Sequence, residues 1–132
     1  LSSNRAGIRV AIATDDGKHV SRHLGLARFF IVYDLKGNEV ARRELRAKPR
    51  HRLEEGVRRT GLGEAEKAMH SAMADAVQDC RALLAGGMGA PAYESFRRAG
   101  VEPLLTDLTD VEDALKAYLE GRLAHHAERT SN

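Results

Sequence analysis

Cysteine is nearly absent from this chain: its 132 residues include one Cys, no Trp, three Pro, three Tyr and three Phe. A single thiol closes no disulfide within the chain, and it cannot build a structural zinc site, which takes several Cys or His at fixed spacing. Lone Cys80 points instead to a reducing, cytoplasmic setting. A dominant charge is lacking as well. The 21 basic and 19 acidic side chains leave a formal net charge of +2, too balanced to mark a nucleic-acid partner. No run approaches the roughly 18–20 consecutive apolar residues of a membrane span, so no membrane partner is expected. The opening Leu-Ser-Ser-Asn-Arg-Ala-Gly has no initiator Met and no apolar core, and residues 1–6 are read as a disordered or appended tail outside the fold. One compact domain is the default at this length.

What is present is a chain of short, well-punctuated elements. Residues 8–14 are apolar and β-branched and stop at Asp15-Asp16-Gly17, which reads as a buried strand ending in a turn. Residues 29–34 and 39–45 flank Lys36-Gly37-Asn38 and predict an antiparallel hairpin. The second of these is charged on one side, as suits an edge strand. Between Arg46 and Gly63 the pattern dissolves into a basic loop carrying Arg50, His51 and Arg52. Ala65, Ala68, Met69, Ala72, Met73, Ala76 and Val77 then mark one face of a helix. Cys80 is expected to be a small core residue just ahead of a buried strand over 81–85. Pro91 opens a helix that Gly100 ends, residues 101–107 form a last strand, and Asp110 caps a last helix stopped by Gly121. His125 and His126 lie in a polar stretch, 124–132, and are read as solvated. The order predicts a single-domain α/β fold, a mixed five-stranded sheet flanked by helices.

Three loops converge at one end of such a sheet if the first, fourth and fifth strands run parallel: 14–24, 86–91 and 106–110. Ligands in open α/β sheets bind outside the carboxyl ends of the strands. The first loop holds Asp15, Ser21, Arg22 and His23, and the second holds Gly86, Gly87, Met88 and Gly89 ahead of a helix N-terminus. Free N–H groups there favour an anion, and glycine lets backbone approach a ligand. Plainer readings stand beside these. Gly-Gly-Met-Gly also makes a tight strand-to-helix turn; it is no P-loop, because no Gly-Lys-Ser/Thr follows, and it lacks the full dinucleotide fingerprint, so no nucleotide cofactor is expected. His23 can cap the short segment 21–28. Asp15 and Asp107 at strand ends could hold Mg²⁺ for phosphodiester hydrolysis, though no close acidic pair shares a strand face and capping accounts for Asp107.

Arg9 to Asp15 and Val20-Ser21-Arg22-His23-Leu24-Gly25, continuing to Phe30, resemble the opening of the dinitrogenase iron–molybdenum cofactor biosynthesis family, the NifX, NafY and NifB C-terminal type of domain. Asp79-Cys80, the strand after it and Gly86-Gly87-Met88-Gly89 resemble a second family segment, and 99–107 with 114–121 resemble its closing strand and helix. The resemblance covers 7–123 in order.

It implies a ribonuclease H-like fold used for binding rather than catalysis. The implied cargo is an anionic metal–sulfur cluster, the iron–molybdenum cofactor or a precursor, weakly held, with cofactor-assembly or acceptor proteins as partners. The family's Ser-x-His-Phe-Gly element falls on Ser21-Arg22-His23-Leu24-Gly25, which makes His23 the candidate metal ligand. Leu24 stands where an aromatic is common, and the loop that is often His-rich is Arg-rich here. Electrostatic attraction of an anion is therefore favoured over a multi-His store. The candidate site is Asp15, Ser21, Arg22, His23 and Gly86 to Gly89. A non-metal module for a small anion or a protein, on the same face, is the alternative.

Overall fold

The computed structural model describes residues 8–48 and 72–131. The first strand, β1 (Ile8–Thr14), lies at the centre of a five-stranded sheet. It pairs antiparallel with β2 (Phe29–Lys36), which pairs antiparallel with β3 (Glu39–Ala47). On its other side β1 runs parallel to β4 (Ala82–Ala85), and β4 runs parallel to β6 (Glu102–Leu105), giving the order β3-β2-β1-β4-β6. The two edges are the charged strand, as expected, and the strand that contains Pro103, whose missing N–H is tolerated on the unpaired side.

Strict alternation along the central strands assigns two apolar faces. Ala11, Ala13, Phe30, Val32, Leu83 and Ala85 pack with Met73 and Val77 of the first helix, α1 (described over 72–76, with Val77 in the turn that follows), and with Phe96 of α2 (Ala90–Arg98). Val10, Ile12, Ile31, Tyr33 and Leu84 pack on the opposite side with Val111, Ala114 and Leu115 of α3 (Val111–Leu119). A large apolar side chain fully withdrawn from water on either face contributes about 1.5–3 kcal/mol. The caps fall where the sequence places them. The Asp110 side chain accepts from the Asp113 N–H, and Gly100 sits at φ 85° just beyond α2. Cys80 is buried; burial pushes its thiol up to about 12.

One short element bears out the plainer reading of His23 as a cap, and a second goes beyond what the sequence showed. His23 caps a short 3₁₀ turn, Leu24–Leu26, its side chain accepting from the Gly25 N–H. Met88–Gly89 (β5) pairs in parallel with Thr130–Ser131 (β7), so part of the polar stretch 124–132 joins a second, two-stranded sheet. Met69, Arg50, His51 and Arg52, and the tail 1–6, lie outside the described residues. Among the described residues no helix is long and apolar enough to cross a membrane.

Candidate functional site

Because β1, β4 and β6 are parallel, their carboxyl ends open onto one rim, and the three expected loops meet there. The first loop is built from its own polar groups. The Thr14 hydroxyl donates to the His19 carbonyl at 2.6 Å and accepts from the Gly17 N–H at 2.9 Å, with Gly17 at φ 81°. Asp16 accepts from the His19 ring Nδ1 at 2.6 Å and from the N–H groups of Lys18 and His19 at 2.8 Å each. These donors, the His19 ring foremost, hold the Asp16 carboxyl well below the usual carboxylate range. Asp15, one residue earlier, turns its carboxylate to the Arg28 N–H at 3.1 Å.

Residues 20–24 then cross the ends of the strands. Val20 donates to Thr109, Ser21 donates to Ala13, and Gly86 donates to Ser21, each backbone bond 2.8 Å long. The Leu24 N–H reaches the Gly87 carbonyl at the same distance. This crossing explains the glycines. A Cβ on Gly86 would sit 2.7 Å from the Arg22 Cα and 2.9 Å from its carbonyl oxygen, and one on Gly87 would sit 3.2 Å from that oxygen. The Gly-rich segment is therefore the bed on which Ser21 and Arg22 lie, and the Gly86 N–H is committed to Ser21 rather than free for an anion. The Met88 side chain is fully buried in the core, so it presents backbone at most.

What faces solvent is the upper side of the crossing strand. Arg22 and His23 are exposed neighbours, while the buried Ser21 donates its hydroxyl to the His23 carbonyl at 2.9 Å and fixes the turn between them. Among the described residues the Arg22 guanidinium has no ion-pair partner. His23 Nδ1 accepts from the Gly25 N–H at 3.1 Å, which in the neutral ring puts the proton on Nε2, the outward nitrogen. A cleft of about 240 Å³ beside Arg22 is lined by Asp15, Asp16, His19, Ser21 and Thr109. The rim thus offers an exposed guanidinium and a ring N–H to an anion, with Asp16 already hydrogen-bonded and Asp15 as the countervailing charge.

Residues 6–121 match the dinitrogenase iron-molybdenum cofactor family. The chain belongs to that family. A protein of Methanocaldococcus jannaschii, itself uncharacterized, is 22% identical over 116 residues, 88% of this chain and 89% of its own length. The crystal structure of PH0822 superposes with a TM-score of 0.70 at 24% identity, over 93% of this chain and 100% of that one. The apo form of the orange protein from Desulfovibrio gigas superposes with a TM-score of 0.60 at 23% identity, over 90% and 92%. These solved structures attest the fold. The stretch after α3 also departs from the sequence reading. His125 and His126 are not merely solvated: His125 Nδ1 accepts from the Leu105 N–H at 3.1 Å, and His126 Nε2 lies 3.2 Å from Asp107. Asp107, read from the sequence as a cap, instead pairs with His126 and Arg129. The sequence carried no local signal for this, since the partners lie some twenty residues away.

Proposed function

We propose that this protein is a non-catalytic carrier of an anionic metal–sulfur cluster, of the NifX type, working in the cytoplasm and passing its cargo to cofactor-assembly or acceptor proteins. Membership of the family supports the cargo class, and the strand order β3-β2-β1-β4-β6 supports a ribonuclease H-like fold turned to binding. The observation that carries the reading is the exposed pair Arg22 and His23, set side by side on a strand that the glycines hold against the sheet end. Sulfides of a cluster are weak acceptors bearing negative charge, and a guanidinium with a ring N–H beside it can meet them through charge-assisted hydrogen bonds. Backbone N–H groups of Gly87, Met88 and Gly89 are the further candidates, and Ser21 supports the turn. Asp15 flanks the site and limits affinity through its charge.

His23 acts first as a donor. A direct bond from Nε2 to a metal requires the Nε2 proton to leave, and if the proton shifts to Nδ1 the Gly25 hydrogen bond is lost. Few and weak contacts suit a carrier that must release what it holds. Anaerobic titration with tetrathiomolybdate, followed by the cargo's own absorption, tests this. Arg22→Ala and His23→Ala are expected to weaken binding by about tenfold each, an order typical of one charge-assisted hydrogen bond. Equal binding by wild type and both variants sinks this site, and no binding by wild type, with stabilisation by phosphate instead, favours a small-anion module.

A further inference from the structure

Beyond α3 the chain turns back over the rim. Gly121, at φ 73°, ends the helix, and the His126 N–H then donates to the Leu105 carbonyl at 2.8 Å. The Leu105 N–H answers to His125 Nδ1, so the free edge of β6 is closed at this residue by an imidazole and a backbone bond. The His125 ring stacks on Tyr93 with centroids 5.9 Å apart, and its Nε2 lies 3.1 Å from the Tyr93 hydroxyl. Further on, Arg129 and His126 both grip Asp107, and Glu128 meets the other nitrogen of His126. Finally, Thr130–Ser131 pairs with Met88–Gly89, and the Arg129 carbonyl passes 3.1 Å from where a Gly87 Cβ would stand.

Two properties of this stretch belong together. It lies on the same Gly-rich bed as Arg22: a Cβ on Gly87 would stand 3.1 Å from the Arg129 carbonyl oxygen and 3.2 Å from that of Arg22. It is also fastened almost wholly by polar groups, and its short 3₁₀ turn, Ala127–Arg129, buries no side chain. Partly exposed ion pairs and single backbone bonds are weak fastenings, and segments held that way open far below the free energy of global unfolding.

We infer that residues 125–131 form a detachable strap, latched on Asp107 and His125, that covers the Gly87–Gly89 side of the rim and must open for an anion to reach it. This rests on the carrier reading for the identity of the site, while the latch itself stands on the contacts above. The anion competes with Asp107 for Arg129, so arrival of cargo and opening of the strap favour one another.

Two full-length variants test it by separate routes. Asp107→Asn cuts the ion-pair latch. His125→Phe keeps a ring against Tyr93 but removes the acceptor for the Leu105 N–H, and it leaves the charge beside the site unchanged. Hydrogen exchange is expected to accelerate at least tenfold at residues 126–131 in both, with the amides of β1 and β4 unmoved. Tetrathiomolybdate is expected to bind severalfold more tightly to both. Unchanged exchange in the strap overturns the latch. Faster exchange with wild-type affinity overturns the gating, as does tighter binding by Asp107→Asn alone, which is then a charge effect. If wild type and both variants all fail to bind, the carrier reading fails and the gating with it, while the exchange result still decides the latch.

Discussion

At the scale of single residues, Gly86 is the position on which the rim depends. Its place is set by close approach and not by an unusual backbone angle: the atoms its Cβ would meet are the Arg22 Cα and carbonyl oxygen, and backbone cannot rotate away as a side-chain tip can. Gly86→Ala is therefore expected to cost about 1–3 kcal/mol, the range for overpacking a tight contact. A thermal melt would read the loss. The substitution should also displace residues 21–24 and weaken anion binding, whereas Gly37→Ala, at φ 63° in an open hairpin turn, should lower stability without touching the rim. Cys80 illustrates the opposite kind of residue. Its neighbour Asp79 adds charge to burial in keeping the thiol protonated, so it serves as a small apolar group.

At the scale of elements, Asp79 joins three strands to the turn after α1. Arg46 of β3 meets it with two nitrogens at 2.8 Å each and also donates to the Ala76 carbonyl, and Arg9 of β1 adds a bond at 2.8 Å while holding Asp34 of β2 at 2.6 Å. The Arg46 guanidinium, with Arg9 behind it, holds the Asp79 carboxyl well below the usual carboxylate range. A carboxyl whose folded value lies below its unfolded value of about 3.9 contributes stability that is fully present above that pH and is lost as pH falls through the folded value. Asp79→Asn is thus expected to be less stable than wild type at pH 7 and to lose less between pH 5 and pH 2. Denaturant titrations at several pH values would show parallel acid slopes if the network contributed nothing. The partners span 70 positions of sequence, so hydropathy patterning gave no hint of them.

At the scale of the whole molecule, one sheet separates two apolar layers, and each helix answers to one of them. Phe96 sits at the centre of the layer shared by α1 and α2 and is fully buried. Phe96→Ala is expected to destabilise by about 3–5 kcal/mol, with the far face losing its structure in the same transition because β1 and β4 are common to both. A guanidinium titration followed at Tyr33, which packs on the α3 side, checks that cooperativity; two separate transitions would contradict it.

The sequence by itself determined the strands of the main sheet, the helices beside it and their faces. The apolar, β-branched run 8–14, turn chemistry at Gly37 and Gly100, and the Asp110 cap are local properties, written in neighbouring residues because backbone geometry has a short period. It also marked the rim, since parallel strands bring their carboxyl ends together whatever the loops contain. What only the tertiary structure decided is which polar group meets which. The Gly-rich turn proved to be a bed for Arg22, with the Gly86 N–H already committed to Ser21. His125, His126 and Arg129 were brought back to Leu105 and Asp107 by the course of the chain beyond α3. Ion pairs and imidazole bonds have no periodicity of their own. Their partners follow from strand order and the path of the chain, which exist only once the sheet has formed.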